Sequence, residues 1–475
     1  MRNMVPLALV ALLAGCTVGP NYAGPPKVGT IGDAPVPFVR GGAAVTNAAP
    51  ALAPWWKTLG DATLDQIEQR ALADNPNVAV ARARVKQARG ALRLERANLL
   101  PNGSANASYV HAELPGIDLG NGGIGGGNTS LDFYNAGFDA SWEVDLFGGQ
   151  RRTAQAAGAS LEAAEANVAD AQVQLTAEVA QSYVALRDTQ ARLALVCQTA
   201  DFQRRMLDLT RQRQARGVAS GLDVERLDGQ LRTTEAQVAP LEADAEAYMN
   251  ALAVLAGQQP GALDDLVKAP QALPLPPAEV AVGDPAALLQ RRPDIRAAER
   301  KLASSTAKIG AAEAARFPRL SFMGLIGIGG SKPSALTDLD NISALAMPQL
   351  SWSFLDFGRN AARVDQAKGA RDEAEAAYRQ TVLGALKDAE DALTRFGHRR
   401  ETLAAQAQVK ASADRAAALM QQRYRAGTAT LIDTLDAERQ RVAAEQNLAA
   451  TAAQLSNDYI ALQKALGLGW SPATS

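Results

Sequence analysis

An internal repeat restricts the fold of this chain more than any other feature of the sequence. Residues in the later part of each copy recur at a constant offset of 210 positions. The matched residues are Ser141-Trp142 with Ser351-Trp352, Phe147-Gly148 with Phe357-Gly358, Gly217 with Gly427, Asp223 with Asp433, and Gly257 with Gly467. Earlier in each copy the offset is 217, since Pro76 and Pro101 match Pro293 and Pro318. The chain therefore contains two copies of one structural unit, and the first copy has seven extra residues.

Each copy contains a very long helical pattern. Residues 150–216 include no proline and little glycine. Within them a series of mostly apolar residues recurs at intervals that alternate between four and three positions. That spacing is the seam of a coiled coil, seen at Leu175, Val179, Ser182, Leu186, Thr189, Leu193 and Val196. At 1.5 Å per residue such a helix is roughly 100 Å long, which a globular domain rarely holds. After a turn at 217–221 we expect a returning helix to about residue 256.

The stretch 133–147 predicts a strand with two different faces. From Tyr134 onward apolar and polar residues alternate without interruption, and successive strand side chains point to opposite faces. Tyr134, Phe138 and Trp142 lie on the apolar face. The other face carries the carboxylates Asp139, Glu143 and Asp145.

Aromatic residues are concentrated in two predicted strand hairpins, at about 101–147 and 318–357. The chain has 10 Phe, 8 Tyr and 5 Trp, and eleven of these lie in or beside the hairpins, which make up under a fifth of the chain. Short strands with an aromatic, apolar face and a polar face are typical of outer-membrane barrels. Four strands cannot close a barrel, and an open edge in lipid leaves unpaired backbone groups. We therefore expect an oligomer that pools strands from several chains.

The N-terminus predicts export and lipidation. Residues 1–15 have one positive charge, an apolar run too short to span a bilayer, and then Leu13-Ala14-Gly15-Cys16. This ending resembles the bacterial lipobox, in which the peptide is cut before the cysteine and the cysteine is acylated. An ordinary secretory peptide that happens to carry a cysteine is the alternative. Thr17 is not the aspartate that retains many lipoproteins at the inner membrane, which favours delivery to the outer membrane.

Composition and motifs argue against catalysis and nucleic-acid binding. The formal net charge is −2, and the two histidines, His111 and His398, are far apart. No HExxH or GxSxG motif is present, and the glycine-rich segment 116–127 lacks the nucleotide-binding spacings. We expect no enzyme activity, no metal site, and no cofactor other than the covalent lipid on Cys16.

Together these features resemble the TolC-like outer-membrane efflux channels, in the lipoprotein subgroup that serves resistance-nodulation-division pumps. The motifs occur in the family's order over nearly the whole mature chain: Cys16, Gly19-Pro20-Asn21-Tyr22, Trp55-Trp56, Asn75-Pro76, Arg292-Pro293-Asp294-Ile295, Trp352 with Asp356-Phe357-Gly358, and 423–439. The resemblance implies a mainly α fold with a membrane β-barrel. It also implies a homotrimer with a twelve-stranded barrel and a long α-helical periplasmic tunnel.

The expected domain boundaries follow from the repeat. They are a signal peptide at 1–15, a lipid-anchored extended tether at 16–54, a first efflux repeat at 55–259, a linker at 260–285 and a second repeat at 286–475. Strands are expected at about 101–147 and 318–357. Long helices are expected at about 150–256 and 360–466.

The resemblance also assigns functional positions. The helix tips that would contact a periplasmic adaptor protein are Gly217, Val218, Ala219 and Ser220, with Gly427, Thr428, Ala429 and Thr430. The alternative is that these turns only connect two helices and contact no partner. A periplasmic gate would involve Tyr424, Asp436 and Arg439, where Asp436 and Arg439 are spaced to pair on one helix face. The strand carboxylates would face the lumen and favour cations.

The expected function is that of a passive exit duct. The channel would conduct small molecules such as drugs or metal ions from an inner-membrane pump, through the adaptor, to the outside. Outer-membrane lipid is an expected partner and nucleic acid is not. Two alternatives stay open from the sequence: the outer-membrane channel of a type I protein secretion system, and a periplasmic structural coiled-coil lipoprotein.

Overall fold

The computed structural model describes residues 17–28, 38–40, 45–46, 48–50, 54–114, 129–286 and 291–470. The predicted lipidation site, Cys16, and the glycine-rich segment 116–127 lie outside the described residues.

The first repeat has helices before and after one strand hairpin. A 3₁₀ turn at Trp55–Leu59 precedes α1 (Ala62–Asp74) and α2 (Pro76–Ala97), which Asn75-Pro76 separates. The hairpin strands are β2 (Asn102–Leu114) and β3 (Thr129–Val144). The 67-residue helix α3 (Gly149–Ala215) follows, and then α4 (Gly221–Glu235) and α5 (Val238–Leu255).

The second repeat follows the same sequence of helix, strand hairpin, long helix and returning helix that the first repeat shows from α2 onward. The short helix α6 (Asp264–Val267) lies in the connecting segment, and α7 (Pro293–Ala314) begins at a proline as α2 does. Strands β5 (Arg319–Gly330) and β6 (Ile342–Ser351) form the hairpin, joined by two short 3₁₀ turns. Helix α8 (Arg359–Arg425) again has 67 residues, and α9 (Leu431–Ala465) has 35. Helices α3 and α8 therefore match at the offset of 210 over their full lengths.

The returning helix differs between the two repeats. We expected one helix from about 222 to 256, but the structure interrupts it at Ala236 and Gln237, whereas α9 is continuous. Pro240 explains the interruption, because a proline has no N–H to donate and its ring excludes the carbonyl four residues earlier, that of Ala236. The equivalent position of the second repeat is Ala450.

The four long strands form one antiparallel sheet in the order β2-β3-β5-β6. Within the hairpins Asn102 is opposite Ser141 and Arg319 is opposite Ser351. The two repeats join through β3 and β5, with Trp142 opposite Phe322. The sheet thus has two edge strands, β2 from the first repeat and β6 from the second.

The chain divides into two compact units. The first comprises Met1–Pro26, Val85–Ala164 and Ala298–Tyr378, and it contains the sheet. In its helical part small residues allow close packing: the Ser160 and Ser304 hydroxyls lie 3.0 Å apart, and Ser304 also donates to the Ala156 carbonyl. Helices α3 and α7 therefore pack at short range here.

The first unit also holds residues 17–22, which we call the N-terminal strap. The buried Arg152 of α3 donates to the carbonyls of Val18 and Gly19 and to the Asn21 side chain, at 2.8–3.2 Å. The Tyr22 hydroxyl donates to Glu299 of α7 at 3.1 Å. The start of the predicted extended tether is therefore fixed to two helices.

The second unit comprises Lys27–Arg84, Glu165–Ala297 and Arg379–Ser475. Its core contains Trp55, Trp56, Leu64, Ile67, Val179, Tyr183, Leu186, Phe396, Tyr459, Ile460 and Leu462. Strand β1 (Val45–Thr46) pairs in parallel with β4 (Val280–Ala281), so the chain before Trp55 is held against the segment between the repeats.

Among the described residues, no helix has the length and apolar character needed to cross a membrane.

Candidate channel wall, helix tips and gate

The aromatic face of the sheet is built from side chains that contact one another across strands. Trp142 and Phe322 stack with ring centroids 6.2 Å apart, and Tyr109 stacks on Tyr134 at 4.8 Å. The indole N–H of Trp142 donates to the Leu99 carbonyl at 3.1 Å. Trp352 makes the equivalent bond to the Arg316 carbonyl in the second repeat, so each tryptophan ties its hairpin to the end of the preceding helix.

The opposite face of β3 carries Asp139 and Glu143, as predicted for strand positions that alternate with Phe138 and Trp142. Asp139 accepts a hydrogen bond from the Asn106 side chain of β2. That this face lines a lumen stays a prediction about the assembled channel.

Asp145 is not a strand residue, and its predicted place on the polar strand face is wrong. Strand β3 ends at Val144, and the Asp145 carboxylate accepts hydrogen bonds from the backbone N–H groups of Gln150 and Arg151 at 3.1 and 2.8 Å. Those N–H groups belong to the first turn of α3 and have no intrahelical acceptor, so an aspartate just before the helix satisfies them. Asp356 caps α8 in the same way, because its carboxylate accepts a hydrogen bond from the backbone N–H of Asn360.

The two predicted helix tips share one backbone geometry. At the end of α3 the Gly217 and Val218 N–H groups donate to the carbonyls of Gln214 and Arg213, and at the end of α8 Gly427 and Thr428 donate to Tyr424 and Arg423. These bonds form a Schellman motif, in which the glycine takes a positive φ, here 71° at Gly217 and 76° at Gly427.

Each tip then begins the next helix with a capping box. The hydroxyls of Ser220 and Thr430 accept from the N–H groups of Asp223 and Asp433, whose carboxylates accept the cap N–H in return. Hydrogen bonds from Thr430 lower the pKa of Asp433. Ser220 and Thr430 therefore have a structural role, while Gly217, Val218, Gly427 and Thr428 are exposed. Ala219 and Ala429 are partly buried beneath them.

The structure divides the predicted gate residues into two contacts. Arg439 donates to Asp436 at 2.5 Å within α9, in a pair that is 70% and 46% exposed. Tyr424 instead contacts the first repeat, accepting a hydrogen bond from Arg213 at 2.5 Å with the guanidinium 5.6 Å from its ring. Arg213 was not predicted from the sequence, because it lies 211 positions from Tyr424 and becomes a neighbour only when α3 and α8 pair.

A cavity of about 250 Å³ lies beside the predicted gate pair, between α3, the break after α4, and α9. Its lining includes Arg439, Gln237 and the buried Gln203, whose carbonyl oxygen has no partner among the described residues. Pro240, four residues after Ala236, is the sequence feature that explains the break bordering this cavity.

A family model for outer membrane efflux proteins matches residues 67–258 and 285–468. The chain belongs to the outer membrane efflux protein family. It is 31% identical to the outer membrane protein OprJ of Pseudomonas aeruginosa, over 98% of this chain and 96% of OprJ. It is 30% identical to Nodulation protein T of Rhizobium leguminosarum bv. trifolii, over 97% and 96%. The fold superimposes on the outer-membrane channel OprN with a TM-score of 0.88 at 35% identity, covering 96% of this chain and all of OprN.

These similarities confirm the TolC-like fold and the predicted function. The protein is an outer-membrane channel of efflux pumps, extends into the periplasm, and is not an enzyme.

Proposed function

We propose that the efflux channel works as a homotrimer whose sheets join into one twelve-stranded barrel. The open edges of the sheet carry this proposal. Each residue of the edge strand β6 is exposed, including Leu345, Met347 and Leu350, and the other edge, β2, is exposed along most of its length. Unpaired backbone groups cost several kcal/mol each in lipid, so pairing β6 of one chain with β2 of the next removes both edges.

The helix tips are the proposed contact with a periplasmic adaptor. Both present small, exposed residues on turns that hydrogen bonds hold rigid: Gly217 and Val218 in one, Gly427 and Thr428 in the other. Small side chains let a partner helix approach closely, and two equivalent tips per chain would give six in a trimer. Energy for export would come from an inner-membrane pump of the resistance-nodulation-division type, and acylated Cys16 would anchor each chain in lipid.

The proposal is tested by purifying the lipidated protein and measuring two properties. We expect a complex of three chains that migrates as a compact species in SDS until it is heated, and discrete conductance steps in planar lipid bilayers. A monomer that gives no conductance would refute the proposal. A variant with Ile342 and Leu350 both replaced by Asp should prevent assembly, because it places charges on the aromatic, lipid-facing side of the strand that lies at the chain–chain seam.

A further inference from the structure

The two hairpins have the same backbone pairing but different side chains on one face. In the first hairpin Asn106 is opposite Gly137, and Ser108 is opposite Asn135. At the repeat offsets of 217 and 210, the equivalent pairs of the second hairpin are Met323 opposite Met347, and Leu325 opposite Leu345. Four positions that are polar or glycine in one repeat are thus all apolar in the other.

These four residues, which we call the apolar quartet, lie on the polar face of the sheet. In the register between β3 and β5, Asp139 is opposite Leu325 and Ser141 is opposite Met323. Directly paired residues of an antiparallel sheet point to the same side. The quartet therefore shares a face with Asp139, and the aromatic pair Trp142 and Phe322 is on the other.

The quartet is open to its surroundings. Met323, Met347 and Leu345 are 48%, 41% and 55% exposed. Lipid would cover the aromatic face of a barrel, but it would not reach this one. If the polar face lines the lumen, as the proposed function requires, then only molecules in the lumen can cover the quartet.

The charge beside the quartet selects the occupant. Asp139 lies directly opposite Leu325 on the neighbouring strand. The Cα atoms of two residues paired in this way are about 5 Å apart. Glu143 lies further along the same face, opposite Ser321. Among the described residues of β5, Arg319 is the only cation on this face, four residues from Met323 and so about 13 Å away along the strand. An apolar surface bordered by a carboxylate complements an organic cation with an apolar body, and the flexible thioethers of two methionines fit varied shapes.

We propose that the apolar quartet and Asp139 form a weak binding surface for organic cations in the channel lumen, present three times in the trimer. This inference rests on the proposed function. The first repeat contributes the charge and the second repeat contributes the apolar contact, so the divergence of the two hairpins has a functional consequence.

Block of single-channel current in planar bilayers tests the inference. Tetrabutylammonium should block at a lower concentration than tetramethylammonium, which has the charge without the apolar body. Benzenesulfonate, an apolar anion, should not share that site. The test variant combines Met323→Asn, Leu325→Ser and Leu345→Asn, which are the residues of the first repeat at the same positions. We expect the half-blocking concentration of tetrabutylammonium to rise about tenfold, because the apolar contact area is lost.

Two further variants separate the possible outcomes. Asp139→Asn should weaken block by both cations, whereas the triple variant should affect tetrabutylammonium alone. The reciprocal change, Ser108→Leu with Asn135→Leu, should strengthen tetrabutylammonium block. This variant tests the inference even if the triple variant does not assemble.

Wild-type pores of normal conductance that tetrabutylammonium blocks no better than tetramethylammonium would overturn the inference and leave the channel function intact. Equal block of the wild type and the reciprocal variant would also overturn it. Absence of any wild-type conductance would instead contradict the proposed function.

Discussion

Glu68 of α1 has a carboxyl group that folding removes entirely from water. The side chain is fully buried, and neither oxygen has a hydrogen-bond partner among the described residues. Burial, together with the nearby charge of Asp65, raises the pKa of Glu68 well above its usual range. The folded protein therefore holds this proton more tightly than the unfolded chain does.

This difference predicts how stability depends on pH. The unfolded chain releases the Glu68 proton above about pH 4.5, so the contribution of this residue to stability is greatest below that pH and falls as pH rises towards the folded pKa. Glu68→Gln keeps the shape and removes the titration. We expect it to stabilise the protein by about 1–3 kcal/mol at pH 7.5, with the difference shrinking towards pH 4.5.

Thermal midpoints measured at both pH values check this expectation. Asp74→Asn, at an exposed position at the end of the same helix, is the control and should change the midpoint little at either pH. A Glu68→Gln variant that is less stable than wild type at pH 7.5 would show that the carboxylate is ionised and stabilised in the fold.

At the scale of the elements, the position of the N-terminal strap depends on the close approach of its backbone at Gly19 to the backbone of α7 at Gly310. Gly19 has φ of +86°, and a β-carbon placed there would lie 2.4 Å from the Gly310 Cα atom of α7. Gly310 in turn has no room for a side chain, because the side chain of Arg152 occupies that space. The strap can therefore reach its hydrogen bonds with Arg152 only if both positions are glycine.

Gly19→Ala should consequently detach the strap from α3 and α7. Gly24→Ala is a matched control, since Gly24 also has a positive φ, +109°, but nothing lies within 4 Å of the point that a β-carbon would occupy there. Both variants carry the backbone cost of a side chain at positive φ, about 1–2 kcal/mol, and only the first has the clash. Limited proteolysis of the strap should be faster in Gly19→Ala than in Gly24→Ala, and equal rates would contradict the role of this contact.

The order of the elements and most helix bounds were readable from the sequence because local signals fix them. Prolines begin α2 and α7, Gly217 and Gly427 end the long helices, and the constant repeat offsets match the common register of the two hairpins. Pro240 is a local signal of the same kind for the break before it, although one continuous helix was expected there. Asp145 caps α3 instead of continuing the strand, because the first N–H groups of that helix need an acceptor. The alternation of apolar and polar residues alone could not show this.

Contacts between distant segments could not be predicted in this way. Arg152 meets the strap more than 130 positions away, and Arg213 meets Tyr424 at 211 positions. Nothing in the local pattern of either arginine distinguishes it from the many solvent-exposed arginines of the long helices. Only helix packing selects which of them becomes a partner.

At the scale of the whole molecule, the predicted gate rests on a charge pair that contributes little stability within one chain. An exposed Asp436–Arg439 pair contributes about 0–1 kcal/mol, so its removal should not unfold α9. In the proposed trimer the same pair occurs three times around one axis, where charges from neighbouring chains can attract one another across the narrow end of the tunnel. Its effect should therefore appear in conduction and not in stability.

Asp436→Ala combined with Arg439→Ala should raise single-channel conductance severalfold while leaving the thermal midpoint nearly unchanged. Lys387→Ala with Asp391→Ala is the matched control, because that pair is also exposed, lies at 2.7 Å and belongs to α8. It should change neither property. Charge removal at Asp436 and Arg439 without a rise in conductance would show that the gate lies elsewhere, and Arg213→Ala would then test the Tyr424 contact, which links the two repeats.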